Sequence, residues 1–161
     1  MRCTAVYYSL TGHCRFLVQK VQKELACELY EVKLNRPYSD TGFSKYYRAG
    51  RDTSLRWKVS LVKPLPDLEA CEAVIIVTPV WAGRVSSPLY SFLSQADLQG
   101  KKLFIIASCS GGDTQKCFKS IEKLVGAKHV VDAISFIDPT EANFTQEQQR
   151  TLQSFLNKIR G

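Results

Sequence analysis

Three short stretches of the chain carry residue types that together can grip an anion and a flat ring. The first is Ser9-Leu10-Thr11-Gly12-His13-Cys14. Small hydroxyl residues and a glycine ahead of a helix start direct backbone N–H groups outward, where the helix dipole favours negative charge. The second is Thr78-Pro79-Val80-Trp81-Ala82-Gly83. A tryptophan there can cover the face of a planar ring, and the two small residues after it let backbone groups approach ring heteroatoms. The third, Ser108-Cys109-Ser110-Gly111-Gly112-Asp113, has paired glycines that permit a close backbone approach to a ligand edge. Each stretch also has a plain reading. The first is a capped turn, the second a tryptophan closing the core, and the third turn chemistry ahead of a helix.

What joins them is where they fall. Thr4-Ala5-Val6-Tyr7-Tyr8 is a β-prone run that stops at the first stretch, and Leu17, Val18, Val21 and Leu25 then recur at helical spacing. Glu28 to Val32 alternates in the manner of an edge strand. Ala73 to Val77 and Leu103 to Ala107 are apolar throughout, which suits central parallel strands covered on both faces. The second and third stretches follow these two runs directly. Ser87-Pro88 reads as a helix start, a capping hydroxyl and then proline at the first helical position, with Leu89, Phe92, Leu93 and Ala96 as its apolar stripe. A helix with Phe118, Ile121, Leu124 and Val125 comes after the third stretch, then a fifth strand over Val130 to Ile134. Thr145-Gln146-Glu147-Gln148 has the form of a capping box opening a last helix, with Leu152, Phe155, Leu156 and Ile159 facing inward.

Strand–helix alternation of this kind predicts a three-layer, doubly wound α/β domain with a parallel sheet, since right-handed crossovers place helices on both faces. A single domain over residues 1–161 is expected. In such sheets ligands bind beyond the carboxyl ends of the strands, where strand order reverses. All three stretches stand at such ends, so a phosphorylated, flat ligand is the expectation they share. The segment from Asn35 to Pro66 has poor periodicity and room for one short helix, and a connection that long is usually functional or mobile.

Composition narrows the remaining classes. The chain is 45% hydrophobic and 23% charged, in the range of a globular protein. No apolar run reaches the roughly 18–20 residues that cross a bilayer, and the first residues are too polar for a secretory leader, so a cytoplasmic protein without membrane association is expected. The six cysteines show no CxxC pair, and with two histidines no metal site is expected. Reduced, mostly buried thiols fit that setting, although Cys14 and Cys109 flank helix starts that can lower a thiol pKa. The formal charge of +7 gathers between Lys33 and Lys63, at Arg36, Lys45, Arg48, Arg51, Arg56 and Lys58, interleaved with Tyr46, Tyr47 and Trp57. A solvated face or a dock for an acidic protein or anionic ligand both suit it. No helix-turn-helix, zinc-finger or RNP pattern points to nucleic acid.

Other α/β phosphate chemistries fail on residue identity. A cysteine phosphatase needs arginine six positions after its cysteine, where this chain has Ser9, Lys20, Lys33, Val77, Gln115 and Lys123. GxxxxGK[ST] and GxGxxG are both absent. A receiver domain needs acidic residues after its first strand, and here Tyr8-Ser9 stands in that place. No side chain stands out as general acid, general base or nucleophile, so no catalytic residue is assigned.

Taken in order, Val6 to Cys14 resembles the phosphate loop of short-chain flavodoxin-family proteins. Leu29 to Lys33 is similar to their second strand, and Thr78 to Gly83, running into Ser87-Pro88, to their ring-covering loop. Ser108 to Asp113 is similar to the third flavin loop. The resemblance implies a five-stranded parallel sheet of order 2-1-3-4-5 and a non-covalent FMN. It implies that Ser9, Thr11, Gly12, His13 and Cys14 hold the phosphate and that Trp81 flanks the ring. Backbone at Pro79, Val80, Ala82 and Gly83, and from Ser108 through Cys109, Ser110, Gly111 and Gly112 to Asp113, would address the ring edge. Two departures stand out: Cys14 where the family has a hydroxyl, and a basic charge where flavodoxins are acidic. The implied function is electron transfer or FMN-dependent reduction, serving a redox partner protein or a small-molecule acceptor. The alternative is a cofactor-free binding or regulatory module of the same fold.

Overall fold

The structure, a computed structural model, describes residues 1–38 and 42–161, and the side chains of these except 42–46, so Lys45 and Tyr46 of the basic segment lie outside the described residues. Its strands are β1 (Cys3–Tyr7), β2 (Glu28–Glu31), β3 (Ala73–Trp81), β4 (Arg84–Val85), β5 (Lys102–Cys109) and β6 (Val130–Ile137). Its helices are α1 (His13–Leu25), α2 (Gly42–Ser54), α3 (Ser87–Leu93), α4 (Gln115–Val125) and α5 (Gln146–Arg160), with a short 3-10 turn at Ala127–His129.

Five strands are parallel and lie in the order β2-β1-β3-β5-β6; β4 pairs antiparallel with the end of β3. Counting the parallel strands alone, this is the expected 2-1-3-4-5 order. The apolar runs explain the centre of the sheet. Along β3, Val74 and Ile76 face one core while Ala73, Ile75 and Val77 face the other, and all five are completely buried. Along β5, Leu103, Ile105 and Ala107 alternate with Phe104 and Ile106 in the same way. One core is closed by Leu17, Val18 and Val21 of α1 with Leu152, Phe155, Leu156 and Ile159 of α5. The other is closed by Ala49 of α2, Leu89, Phe92 and Leu93 of α3, and Cys117, Phe118 and Ile121 of α4. A strand covered on both faces has no polar alternation to show, which is why these runs are uniformly apolar.

Two helix starts differ in detail. α3 begins one residue earlier than expected: Ser86 is the flanking residue, Ser87 the first helical one and Pro88 the second. Ser86 does not cap with its hydroxyl, which instead meets the Thr78 hydroxyl at 3.1 Å. The start of α5 matches the expected capping box. The Thr145 hydroxyl accepts from the Gln148 amide at 3.1 Å, and the Gln148 side chain accepts from the Thr145 amide at 2.9 Å. The weakly periodic segment holds a full 13-residue helix, α2, longer than expected. Its amphipathic pattern is masked by Arg48 and Arg51, which pack over the aromatic rings of Tyr38 and Trp57. No helix among the described residues is long and apolar enough to cross a membrane.

Thr145→Ala removes one half of that capping box while touching nothing buried. We expect the urea-unfolding free energy to fall by about 1 kcal/mol, with an unchanged m-value.

Candidate cofactor cleft

Parallel strands bring the ends of β1, β3, β5 and β6 to the same edge, and there the connecting segments enclose a cleft of about 610 Å³. Leu10, Thr11 and His13 line it from the first connection, Pro79, Val80, Trp81 and Ala82 from the second, and Ser108, Cys109 and Ser110 from the third. That volume lies in the range of small-molecule sites.

At the α1 end, Gly12 takes φ 98°, a left-handed turn that suits glycine, and the chain enters the helix from it. The Ser9 hydroxyl accepts from the amides of Gly12 (3.1 Å) and Arg15 (3.2 Å), so Ser9 sits behind the loop as its brace. Leading N–H groups of a helix have no partner within it. Those of His13 and Cys14 meet no acceptor among the described residues and open on the same helix end, which is the donor set an anion requires. The Cys14 side chain does not join them. It turns inward between α1 and the sheet with 2% exposure, and burial pushes its thiol well above the ordinary range, with Cys117 adding to the shift. The lowered thiol pKa that a helix N-terminus can produce is thus reversed here, because desolvation of the thiolate outweighs the helix dipole.

Trp81 forms the wall. Tyr8 and Tyr38 both meet it edge-on, at 5.6 Å and 5.5 Å between ring centres, which fixes the indole plane. Burial, assisted by Glu31, raises the Tyr8 phenol to about 12, and burial also raises that of Tyr38. Both rings therefore stay neutral near physiological pH. Behind Trp81 the chain reverses in two residues. Trp81 pairs with Arg84, and Ala82 (φ 49°) and Gly83 (φ 71°) are both left-handed, the signature of a type I′ hairpin. Ala82 lines the cleft, whereas Gly83 turns toward the aliphatic stem of Lys116.

The third connection divides. Ser108 to Ser110 reach the cleft, while Gly111, Gly112 and Asp113 run past it, and the Asp113 carboxylate accepts from the Gln115 amide at 2.8 Å to cap α4. Of the sixteen anticipated residues, Thr11, His13, Pro79, Val80, Trp81, Ala82, Ser108, Cys109 and Ser110 share one cavity. Ser9, Gly12, Cys14, Gly83, Gly111, Gly112 and Asp113 stand behind or beside it.

Sequence reasoning missed a fourth wall. Asp138, Thr140 and Asn143, from the segment after β6, line the cleft, as do Ala49 and Gly50 of α2. Asp138 ties this wall to the others: its carboxylate accepts from the Ser110 hydroxyl at 3.2 Å and lies 3.7 Å from His13 Nε2. His13 Nδ1 is 3.0 Å from the Pro139 carbonyl and so carries the proton. Extending the rule of carboxyl strand ends to the last parallel strand would have flagged Asp138; no local motif marks it.

Comparison with known proteins agrees with this fold. Residues 2–142 match the flavodoxin family. A candidate flavoprotein from Bacteroides eggerthii DSM 20697 superposes with a TM-score of 0.81 at 15% identity, over 99% of this chain and 98% of that one. A flavoprotein from Lactobacillus acidophilus NCFM, solved in complex with FMN, superposes with a TM-score of 0.73 at 17% identity, over 83% and 92% of the two chains. An NADH:FMN oxidoreductase gives 0.58 at 12% identity, over 99% and 89%. No curated protein matches the sequence.

In the native protein Cys14 is expected to resist iodoacetamide and to label only after unfolding, as peptide mass spectrometry can read. Gly83→Ala, which forces a Cβ into a left-handed turn, is expected to lower stability by about 1 kcal/mol in urea melts.

Proposed function

The chain belongs to the flavodoxin family, and from that premise we propose that it is an FMN-dependent electron-transfer protein. One observation carries this reading: the connections after β1, β3 and β5 meet in one 610 Å³ cleft with unpartnered helix-start amides in its first wall and an edge-clamped indole in its second. FMN supplies the redox chemistry, accepting and releasing electrons at its ring. The residues of the chain bind and orient it.

In this reading the amides of His13 and Cys14 and the hydroxyl of Thr11 take the phosphate. Ser9 and Gly12 shape the turn, and the Ser9 hydroxyl keeps its own proton to donate. Trp81 covers the ring and keeps water from one face, in surroundings where Tyr8 and Tyr38 add no charge. The backbone of Pro79, Val80 and Ala82, with that of Ser108 to Ser110, meets the ring edge, while Gly83 and Gly111 to Asp113 shape the turns behind it. Asp138 acts as a positioning residue for Ser110, and the Pro139 carbonyl next to it holds His13 through Nδ1, so the segment after β6 sets both across the mouth. A redox partner protein or a small acceptor then receives the electrons, and the cytoplasm is the setting that the cysteine usage supports.

Titration of the purified protein with FMN, followed in the visible spectrum, is expected to saturate at one equivalent. Loss of one charge-assisted hydrogen bond in Thr11→Val should weaken binding about tenfold or more. Failure of the folded protein to take up FMN overturns the proposal. Stopped-flow mixing of the loaded protein with NADH or NADPH then separates a carrier from a reductase: a carrier's flavin stays oxidised, a reductase's bleaches rapidly.

A further inference from the structure

Beside the cofactor cleft lies a second, smaller pocket of about 140 Å³, built from the C-terminal end of α2, β4, the start of α3 and α4. We propose that it binds a phosphate monoester group. Arg56, Arg84 and Lys123 line it, and among the described residues none of the three has an ion-pair or hydrogen-bond partner for its side chain. The carboxylate in the wall, Asp52, is already committed. Its Oδ1 accepts from Arg51 at 2.9 Å and its Oδ2 from the Tyr38 hydroxyl at 2.8 Å. Three cations around one small cavity, whose single wall carboxylate is already paired with Arg51, repel one another until an anion enters. Guanidinium groups present forked donors that match phosphate oxygens, and a phosphate dianion offsets more of this charge than a carboxylate does.

The backbone supplies an independent observation. Arg56 holds φ 54° in the left-handed region, at the position just past α2 where helices prefer glycine. Its amide donates to the Thr53 carbonyl at 3.1 Å and that of Trp57 to the Asp52 carbonyl at 2.9 Å, the paired bonds of a Schellman turn. Strain of this kind clusters at ligand sites, and here it sets a cation on the pocket rim. Trp57 and Tyr90 line the pocket beside the cations, with Val85 and Leu124 completing an apolar side. That side fits an aromatic body esterified to the phosphate. The pocket shares α2 and the β3–β4 hairpin with the cofactor cleft, but none of its lining residues belongs to that cleft.

The test uses the FMN-loaded protein, in which the phosphate loop is filled, at constant ionic strength in phosphate-free buffer. Inorganic phosphate, phenyl phosphate and benzoate are titrated in turn by calorimetry and by Trp57 emission. Saturable one-to-one binding is expected for both phosphates, at least tenfold tighter for phenyl phosphate than for benzoate. A preference for phenyl over inorganic phosphate identifies an aromatic ester as the ligand; equal affinities identify free phosphate. Arg84→Gln and Lys123→Gln should each weaken binding fivefold or more. Arg56→Gly should weaken binding while raising the melting temperature by about 2–4 °C, since it relieves the strained turn. Binding that does not saturate, that is equal for benzoate, or that is untouched by all three substitutions overturns the proposal. Should the protein refuse FMN, the same substitutions read the pocket in the unloaded protein, because they leave the α1 loop intact.

Discussion

The site depends on the burial of β3 and β5 on both faces. Each alternate residue along these strands feeds a different core, and fully burying a valine, isoleucine or leucine side chain is worth about 1.5–3 kcal/mol. A strand that must be covered above and below needs helices on both sides, and parallel neighbours joined by right-handed crossovers supply them. The geometry then leaves no choice about where the connections emerge. Every carboxyl strand end points the same way, and residues as far apart as Thr11, Trp81, Ser108 and Asp138 meet at one edge.

Around that edge, polar and aromatic contacts convert a meeting of loops into a shaped cavity. Two tyrosines hold Trp81 edge-on, and a two-residue hairpin behind it stops the wall from drifting. Asp138 accepts from Ser110 and the adjacent Pro139 carbonyl accepts from His13, so one segment ties both across the mouth. Ser9 gives its oxygen to the turn before α1, so that the amides next along the helix start remain open. A preformed donor set of this sort lowers the cost of ordering a ligand, which is why pockets that bind tightly tend to be built before the ligand arrives.

The basic segment has a structural logic of its own. Asp52 is 4% exposed, and a carboxylate so placed is tolerable only with its charge met. Arg51 meets it from the same helix, and Tyr38 and Ser87 extend the network inward at 2.8 Å and 2.7 Å from the Tyr38 hydroxyl. This network separates the two pockets. On one side it supports Tyr38 against Trp81; on the other it leaves Arg56, Arg84 and Lys123 without an acidic partner among the described residues.

The sequence by itself determined the layers and three of the walls, because uniformly apolar runs, helical stripes and turn residues act locally and leave a local record; the strand order followed only from the family resemblance of the loop motifs. The Thr145 capping box and the inward face of α5 were legible for the same reason. Tertiary structure alone decided which side chains of those walls face the cavity. Cys14 and Asp113 sit in the right loops, yet one is claimed by the core and the other by a helix cap. It also decided that Asp138, Ala49 and Gly50 belong to the site, since their places depend on packing between segments distant in the chain. The direction of a side chain at a loop is set by whichever partner desolvates or bonds it best, and that partner is chosen by the fold.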